Sequence, residues 1–373
     1  MKHFLFAVAL VGASSSIAAA DTWVTDDDYL GPQHDATAAH AVSDGTYLYV
    51  TGSDQGANGT RAVTRRRLLS TAGWHTIDTY VGDGEASASA IAYDATNGLL
   101  YTAGQTDAGP SSSRWWVRRS KDQGQNWDTI HIGTYFTGGQ NSVGAMRVNG
   151  AGDVLVAITA GDSSQVYHWI LKSSGNNWST PLDVVDPVVT TSGGVAQPAA
   201  IGFDSSGYAI VTGTVIDSHG INGITRHNTS NGWVTMDTAP KRYNTAIAQI
   251  TGEIYIGSEQ QLGYEWITRR GPLAGPFTDV DTYGGAPTLS WGTGFQLFGG
   301  VLYQSGSDTE QWGVRESTDG LAWTSSERYE PNANGATEGA AYDIITAGGK
   351  LWAVGYSYDG TTSEEHWLVR VKQ

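Results

Sequence analysis

The chain has 373 residues, a formal net charge of −16, 49 glycines, 10% aromatic and 16% charged residues, and no cysteine. That charge argues against nucleic acid and anionic membrane surfaces as partners, since both need basic patches, and the missing cysteines rule out a disulfide-held fold. Abundant glycine and aromatics with little charge suit short strands and tight turns, so an all-β fold is expected.

Taken in order, residues 1–20 read as a secretory signal peptide: Lys2 and His3, an apolar run from Phe4 to Gly12, then Ala18-Ala19-Ala20 as a small-residue cleavage site. The mature chain, 21–373, is expected to be exported, to the periplasm or the medium. No later stretch approaches the roughly eighteen apolar residues of a membrane span, so no membrane insertion is expected.

From there one pattern recurs: a tryptophan, Val or Thr, a cation, a polar turn, then an aromatic. Its fullest copy runs from Trp115 through Arg118 to Trp127. Further copies are Ala62–Arg65 to Trp74, Trp169–Lys172 to Trp178, Gly223–Arg226 to Trp233, Trp266–Arg269 to Phe277 and Trp312–Arg315 to Trp323. The closing aromatics, counted from Trp23, are 44 to 55 residues apart. A final half-copy, Trp367–Arg370, has no aromatic after it, and Trp23-Val24-Thr25 supplies the missing half at the other end. Such a period signals a propeller or solenoid. Each repeat parses into four short runs, A to D, separated by Gly/Asp/Ser/Asn turns. A seven-bladed β-propeller of four-stranded blades is expected, its ring closed by the N-terminal strand.

Two recurrent features read as structural. The cation ending run C (Arg65, Arg118, Lys172, Arg226, Arg269, Arg315, Arg370) is matched by an acid four residues after most run D aromatics: Asp27, Asp78, Asp237, Asp281 and Glu327, with His131 and Leu182 as exceptions. An Arg–carboxylate pair across each C–D hairpin is the expectation. The tryptophan three residues before the cation, replaced by Ala62 and Gly223, is expected to fill space between blades.

Ser120-Lys121-Asp122-Gln123-Gly124-Gln125-Asn126-Trp127 resembles the Asp-box, Ser-x-Asp-x-Gly-x-x-Trp, of the BNR or sialidase-like propellers; Ser317–Trp323 is one residue shorter and Ser173–Trp178 partial. The resemblance implies a C–D hairpin on the face away from the active site. It does not carry sialidase activity over, because no Arg-Ile-Pro segment follows Trp23 and seven repeats stand where sialidases have six blades. BNR propellers include lectins, scaffolds, lyases and hydrolases.

The D–A and B–C loops should share the face around the channel mouth. A polar residue starts each run A: Asp35, Glu85, Asn141, Gln197, Asn244, Thr288 and Glu338. The acids Asp35, Glu85 and Glu338 would suit an oxygen-ligating cation such as Ca²⁺; no cofactor is required. Tyr29, His34, Asp83, Tyr135, Arg242 and Tyr243 add differentiated side chains nearby. Acids beginning the B–C loops (Asp54, Asp107, Asp162, Asp217, Glu259, Asp308, Asp359) make that face acidic and favour cationic or polyhydroxyl ligands. The leading expectation is non-catalytic recognition, lectin-like carbohydrate binding or capture of a partner protein, at this loop face. The alternatives are a glycoside hydrolase or polysaccharide lyase, with His34, Asp35, Arg242 and Tyr243 in the chemistry, and an envelope scaffold.

Overall fold

The computed structural model describes residues 22–109, 112–188, 193–261, 264–284, 290–330 and 337–373. Residues 1–20, read above as a signal peptide, and Thr288 lie outside these. The described residues are almost entirely strand. After β1 (Trp23–Tyr29) come β2 (Ala36–Ser43), β3 (Tyr47–Gly56), β4 (Gly59–Leu68) and β5 (Trp74–Tyr80); then β6 (Ala86–Asp94), β7 (Leu99–Gly109), β8 (Ser112–Ser120) and β9 (Asp128–Gly133). Next are β10 (Asn141–Val148), β11 (Val154–Gly161), β12 (Tyr167–Ser173) and the short β13 (Asp183–Val185), followed by β14 (Val195–Phe203), β15 (Ala209–Asp217), β16 (Gly220–Thr229) and β17 (Gly232–Pro240). The rest are β18 (Arg242–Ile250), β19 (Glu253–Gln260), β20 (Glu265–Pro272), β21 (Thr278–Gly284); β22 (Trp291–Phe298), β23 (Val301–Asp308), β24 (Gln311–Ser317), β25 (Thr324–Tyr329); and β26 (Thr337–Ala347), β27 (Lys350–Asp359), β28 (Glu364–Lys372).

These form five four-stranded antiparallel sheets and one eight-stranded sheet, which is two four-stranded meanders (β10–β13 and β14–β17) joined by a single parallel bridge, Tyr167 to Val195. β1 pairs with β28, so the N-terminal strand is the outermost strand of the last sheet. The first strands pack in series: β2 on β6, β6 on β10, β10 on β14, β14 on β18, β18 on β22, β22 on β26, and β26 on β2.

Burial follows strand position. Second strands are buried on both faces, as in β11, where every residue is buried, and they read as continuous apolar runs. Outer strands such as β9 are half exposed and polar. Each first strand carries a β-bulge at one place, between Ala38 and His40, Ala88 and Ala90, Val143 and Ala145, Pro198 and Ala200, Asn244 and Ala246, Gly292 and Gly294, and Ala341 and Asp343. Opposite it the second strand usually has glycine because there is no room for a side chain: a Cβ on Gly104 would lie 1.9 Å from the Ser87 carbonyl oxygen.

The tryptophans fill the space between meanders, as expected: Trp115, Trp169, Trp266, Trp312 and Trp367 are at most 2% exposed. Both gaps in the series are filled from the next meander. Where the first has Ala62, Trp116 of the second packs against it, edge-on to Tyr80 at 5.0 Å. Where the fourth has Gly223, Asn244 of the fifth occupies the place a Cβ would take, its Oδ1 2.3 Å from that position.

The recurrent ion pair differs from expectation: it joins neighbouring meanders and does not cross one hairpin. Arg65 on β4 binds Asp27 on β1 (Nε–Oδ2 2.9 Å), Arg118 on β8 binds Asp78 on β5 (2.9 Å), and Arg226 on β16 binds Asp183 on β13 (2.6 Å). Arg269 reaches Asp237, Arg315 Nη2 lies 2.8 Å from Asp281, and Arg370 bonds Glu327 at 2.7 Å. Wedge-shaped contacts leave the outer strand of one meander beside the third strand of the next, and the forked guanidinium reaches across. Asp183 takes the acid role one residue after Leu182. At the remaining junction the acid is replaced by His131, whose ring lies 3.9 Å from Trp115 and 5.5 Å from Trp178. Burial, then the nearby Lys172 charge, push the imidazole down to about 4. Lys172, lacking a carboxylate there, donates to the carbonyls of Trp178 and Ser179 at 3.0 and 3.1 Å.

The Asp-box is a turn device between β8 and β9. Gly124 N donates to Ser120 Oγ and Asn126 N to Asp122 Oδ1, both at 2.8 Å, and Trp127 Nε1 donates to Gly124 O. Ser317 and Asp319 repeat this between β24 and β25. Antiparallel connection puts these turns at the opposite end of the strands from the D–A and B–C loops.

Candidate functional site: a groove and a channel

The seven bulged residues, Ala39, Ser89, Gly144, Ala199, Thr245, Thr293 and Tyr342, line one cavity of about 360 Å³ together with His40, Ser53, Ser87 and Ala88. Beyond them, towards the A–B turns, a second cavity of about 350 Å³ is lined by all seven first strands. Just past the bulge five strands carry Ala or Gly (Ala90, Ala145, Ala200, Ala246, Gly294) and two carry His40 and Asp343. These two meet: His40 Nδ1 lies 3.3 Å from Asp343 Oδ2, and Asp343 also accepts from Ala41 N (3.1 Å) and Ile344 N (2.8 Å). Burial works to raise the Asp343 carboxyl, but hydrogen bonds from His40 and Ala41 and the nearby His40 and Arg147 charges outweigh it and hold it low. No hydrogen bond engages His40 Nε2 among the described residues. Tyr342, stacked on Tyr356 at 5.4 Å, has its phenol raised by burial. None of these was singled out from the sequence. The available signal was a lone histidine and a lone aspartate at a position that is otherwise Ala or Gly.

At the mouth, Asp35, Glu85 and Glu338 each stand four residues before their bulge and all are exposed. Asn141, Gln197 and Asn244 stand three, two and one residues before theirs, so the expected polar ring is not one level. Asp35 and Glu338 face Glu365, whose carboxyl is raised by burial, with these two charges adding to it; Asp35 also forms a parallel bridge with Glu365. Glu85 lies apart, its side chain beside Gly59 of the first meander. Among the described residues no three His, Asp or Glu side chains are grouped to hold a metal ion.

Several sequence candidates are committed to structure. Asn141 is buried, donating to Ser113 O (2.8 Å) and accepting from Tyr135 N (3.1 Å). Asn244 is buried, donating to Thr212 Oγ1 and accepting from Ser258 Oγ. Tyr29 donates to Asp54 Oδ2 at 2.6 Å, and burial, then Asp54, push its phenol up to about 12. Asp54 is itself buried and clasped by Arg61 (2.8 and 2.7 Å), and Asp308 is buried beneath Tyr283, so these B–C acids do not add to an acidic surface. His34 bonds Glu364, while Arg242 bonds Gln260 and Asp279 (2.8 Å to Asp279) on its own sheet. Tyr243 pairs with Glu259 across β18 and β19, its phenol raised by burial, then by Glu259. The structure therefore does not unite His34 with Arg242 and Tyr243. Gln197 is exposed.

What the D–A and B–C loops do build is a groove of about 760 Å³ between the second and third meanders. Its walls include Asp83, Glu85, Gln105, Asp107, Gln140, Asn141, Thr159 and Tyr167. Asp107 N donates to Glu85 O at 2.9 Å, which holds the two acidic residues side by side at the start of the β6–β7 pair. Asp83 is ion-paired with Arg114, and Tyr167 donates to Gln140 at 2.8 Å. The side chains of Glu85, Gln105 and Asp107 make no hydrogen bond among the described residues. A smaller cavity shares Glu85, Gln105 and Asp107 with the groove and includes Ser87, which also lines the channel cavity. The groove thus leads towards the channel.

No family model matches the chain, and none of the curated proteins does. Solved structures do resemble it. The polysaccharide lyase Uly1 is 11% identical, over 92% of this chain and 91% of that one, with a TM-score of 0.56. A prolyl endopeptidase is 10% identical over 91% of this chain and 50% of its own, with a TM-score of 0.53. The fold is a β-propeller. A Trypanosoma rangeli sialidase is 12% identical over 76% of this chain and 54% of its own, at 0.47. The chain thus spans about half the length of the endopeptidase and the sialidase. No helix among the described residues is long and apolar enough to cross a membrane.

Proposed function

We propose that this protein is an exported seven-bladed propeller that binds a glycan non-catalytically in the groove between its second and third blades. The cyclic packing of first strands and the pairing of β1 with β28 support the blade count and closure; the pattern of residues 1–20 supports export. The observation that carries the function is the groove itself, whose unengaged carboxylate and amide groups at Glu85, Gln105 and Asp107 suit sugar hydroxyls. A calcium ion bridging a ligand to these acids belongs to the same proposal, and titration with and without chelator tests it. Binding of purified 21–373 to a glycan array should give hits to related glycans. Gln105→Ala should then weaken the best hit about tenfold, as expected for one lost hydrogen bond, with an unchanged melting curve. A blank array, or an unaffected Gln105→Ala, would overturn the reading in favour of a protein partner or an envelope scaffold.

A second reading, a hydrolase or lyase, is favoured by the His40–Asp343 pair at the end of the path from the groove. Asp343 fixes Nδ1 and leaves Nε2 free to accept a proton. Incubating the bound glycans with protein and looking for shortened or unsaturated chains tests it; wild type should produce them and His40→Gln should not.

A further inference from the structure

We infer that the glycan taken by the groove carries free amino groups, as in a polymer of unacylated amino sugars. This rests on the groove reading above. Three carboxylates, Asp83, Glu85 and Asp107, line the groove, and among the described residues no lysine or arginine does. Arg114 engages Asp83 from the edge, which leaves Glu85 and Asp107 with no ion pair among the described residues. A second observation points the same way. Thr159 lines the groove, is 7% exposed, and its Oγ1 is buried with no hydrogen-bond partner. A buried hydroxyl is rarely left unsatisfied without a reason, and here it lies on the wall of the cavity that Glu85 and Asp107 share.

Ammonium chemistry fits this set. An alkylammonium has three donors and no acceptor, and the groove offers carboxylates at Glu85 and Asp107 and an amide oxygen at Gln105, with the unpaired Thr159 hydroxyl buried in a residue of its wall. Charge-assisted hydrogen bonds to the carboxylates are stronger than those a neutral hydroxyl makes. Uronate or sulfate groups would meet like charge at the same positions, in a chain whose net charge is already −16. The backbone bond from Asp107 N to Glu85 O fixes the spacing of the two acids before any ligand arrives, so little ordering is needed on binding.

The test uses three tetrasaccharides of matched length: glucosamine, N-acetylglucosamine and galacturonic acid, titrated calorimetrically into 21–373 at about pH 6 in low and high salt. The glucosamine tetramer should bind at least tenfold more tightly than the acetylated one, and only its binding should weaken with salt. Glu85→Gln with Asp107→Asn should abolish that preference and its salt dependence, bringing the glucosamine tetramer to the affinity of the acetylated one, with an unchanged melting temperature. Equal affinity for the two, or tighter binding of the galacturonate, would overturn the amine inference and leave a glycan groove in place. If none of the three binds and the array is blank, the groove reading falls with it. Persistence of the glucosamine preference in the double variant would also overturn the amine inference, because the two carboxylates would then not be its source.

Discussion

The junction that lacks an ion pair makes the sharpest stability prediction. His131 is partly buried between Trp115 and Trp178, with Lys172 nearby, and burial followed by that charge hold its imidazole at about 4 where an ordinary histidine titrates near 6.5. Above pH 6.5 the ring is neutral in both folded and unfolded chains. Between 6.5 and about 4 the unfolded chain takes up a proton that the folded one refuses, so stability falls as pH falls. Each pH unit of difference is worth about 1.4 kcal/mol; the full interval would be about 3 kcal/mol, and partial exposure of the ring reduces this to about 1–2 kcal/mol. His131→Phe keeps an aromatic ring between the tryptophans and removes both the titration and a buried Nε2 that has no hydrogen-bond partner. Other groups titrate in this range with the opposite sign: burial, opposed by the Arg65 ion pair and helped by the Asp26 and Asp28 charges, raises Asp27 to about 6, which favours the folded state as pH drops. The difference between the two chains cancels them. Urea midpoints at constant ionic strength should show wild type losing about 1–2 kcal/mol more than His131→Phe between pH 7 and pH 4. Parallel loss in the two chains would refute the assignment of a buried neutral histidine.

Arg226→Leu should cost about 3 kcal/mol, because it leaves Asp183, nearly buried, without its partner; adding Asp183→Leu should recover most of that in the same urea titration. Trp116→Ala should cost about 3–5 kcal/mol in urea unfolding, since no tryptophan of the first meander backs it up at Ala62. Gly124→Ala should lower the urea-derived stability by about 1–3 kcal/mol: the residue has φ +87°, and a Cβ would fall 2.3 Å from Ile77 Cδ1 on the preceding meander.

The repeat was legible because the fold applies one set of physical demands to every meander. A tryptophan at the same place, a cation three residues on and a glycine opposite most of the bulges recur since each junction must be filled, paired and closely approached in the same way. The direction of the ion pair was not legible: a strand D acid is far nearer in sequence to its own strand C cation than to the next one (Asp78 follows Arg65 by 78−65=13 residues and precedes Arg118 by 40), and only the stacking of meanders makes the distant cation its partner. In the sequence Asn141 and Asn244 read as mouth residues because a polar side chain at the start of a strand looks exposed. The bulge shifts the level of each strand, and depth cannot be read without it. The groove was half visible, through Asp83, Glu85 and Asp107, whereas Gln105, Thr159 and Tyr167 carry no pattern that marks them in the chain.

In a repeat protein, a departure from the repeat is informative according to whether a neighbour makes up for it. Ala62 is answered by Trp116 and Gly223 by Asn244, and Leu182 is answered by Asp183 one residue on; these departures restore packing or pairing and ask for no ligand. His131 is answered less completely, by a neutral ring and a lysine that turns to carbonyl oxygens, which is why its cost surfaces in acid. Glu85, Asp107 and the Thr159 hydroxyl are answered by nothing among the described residues, and they share one concave surface. His40 and Asp343 answer one another across a channel where every other strand has Ala or Gly, yet they leave one imidazole nitrogen unused. Along the path from groove to channel, unengaged carboxylates and a half-used imidazole therefore adjoin open cavities, and it is there that a ligand would complete what the fold leaves open.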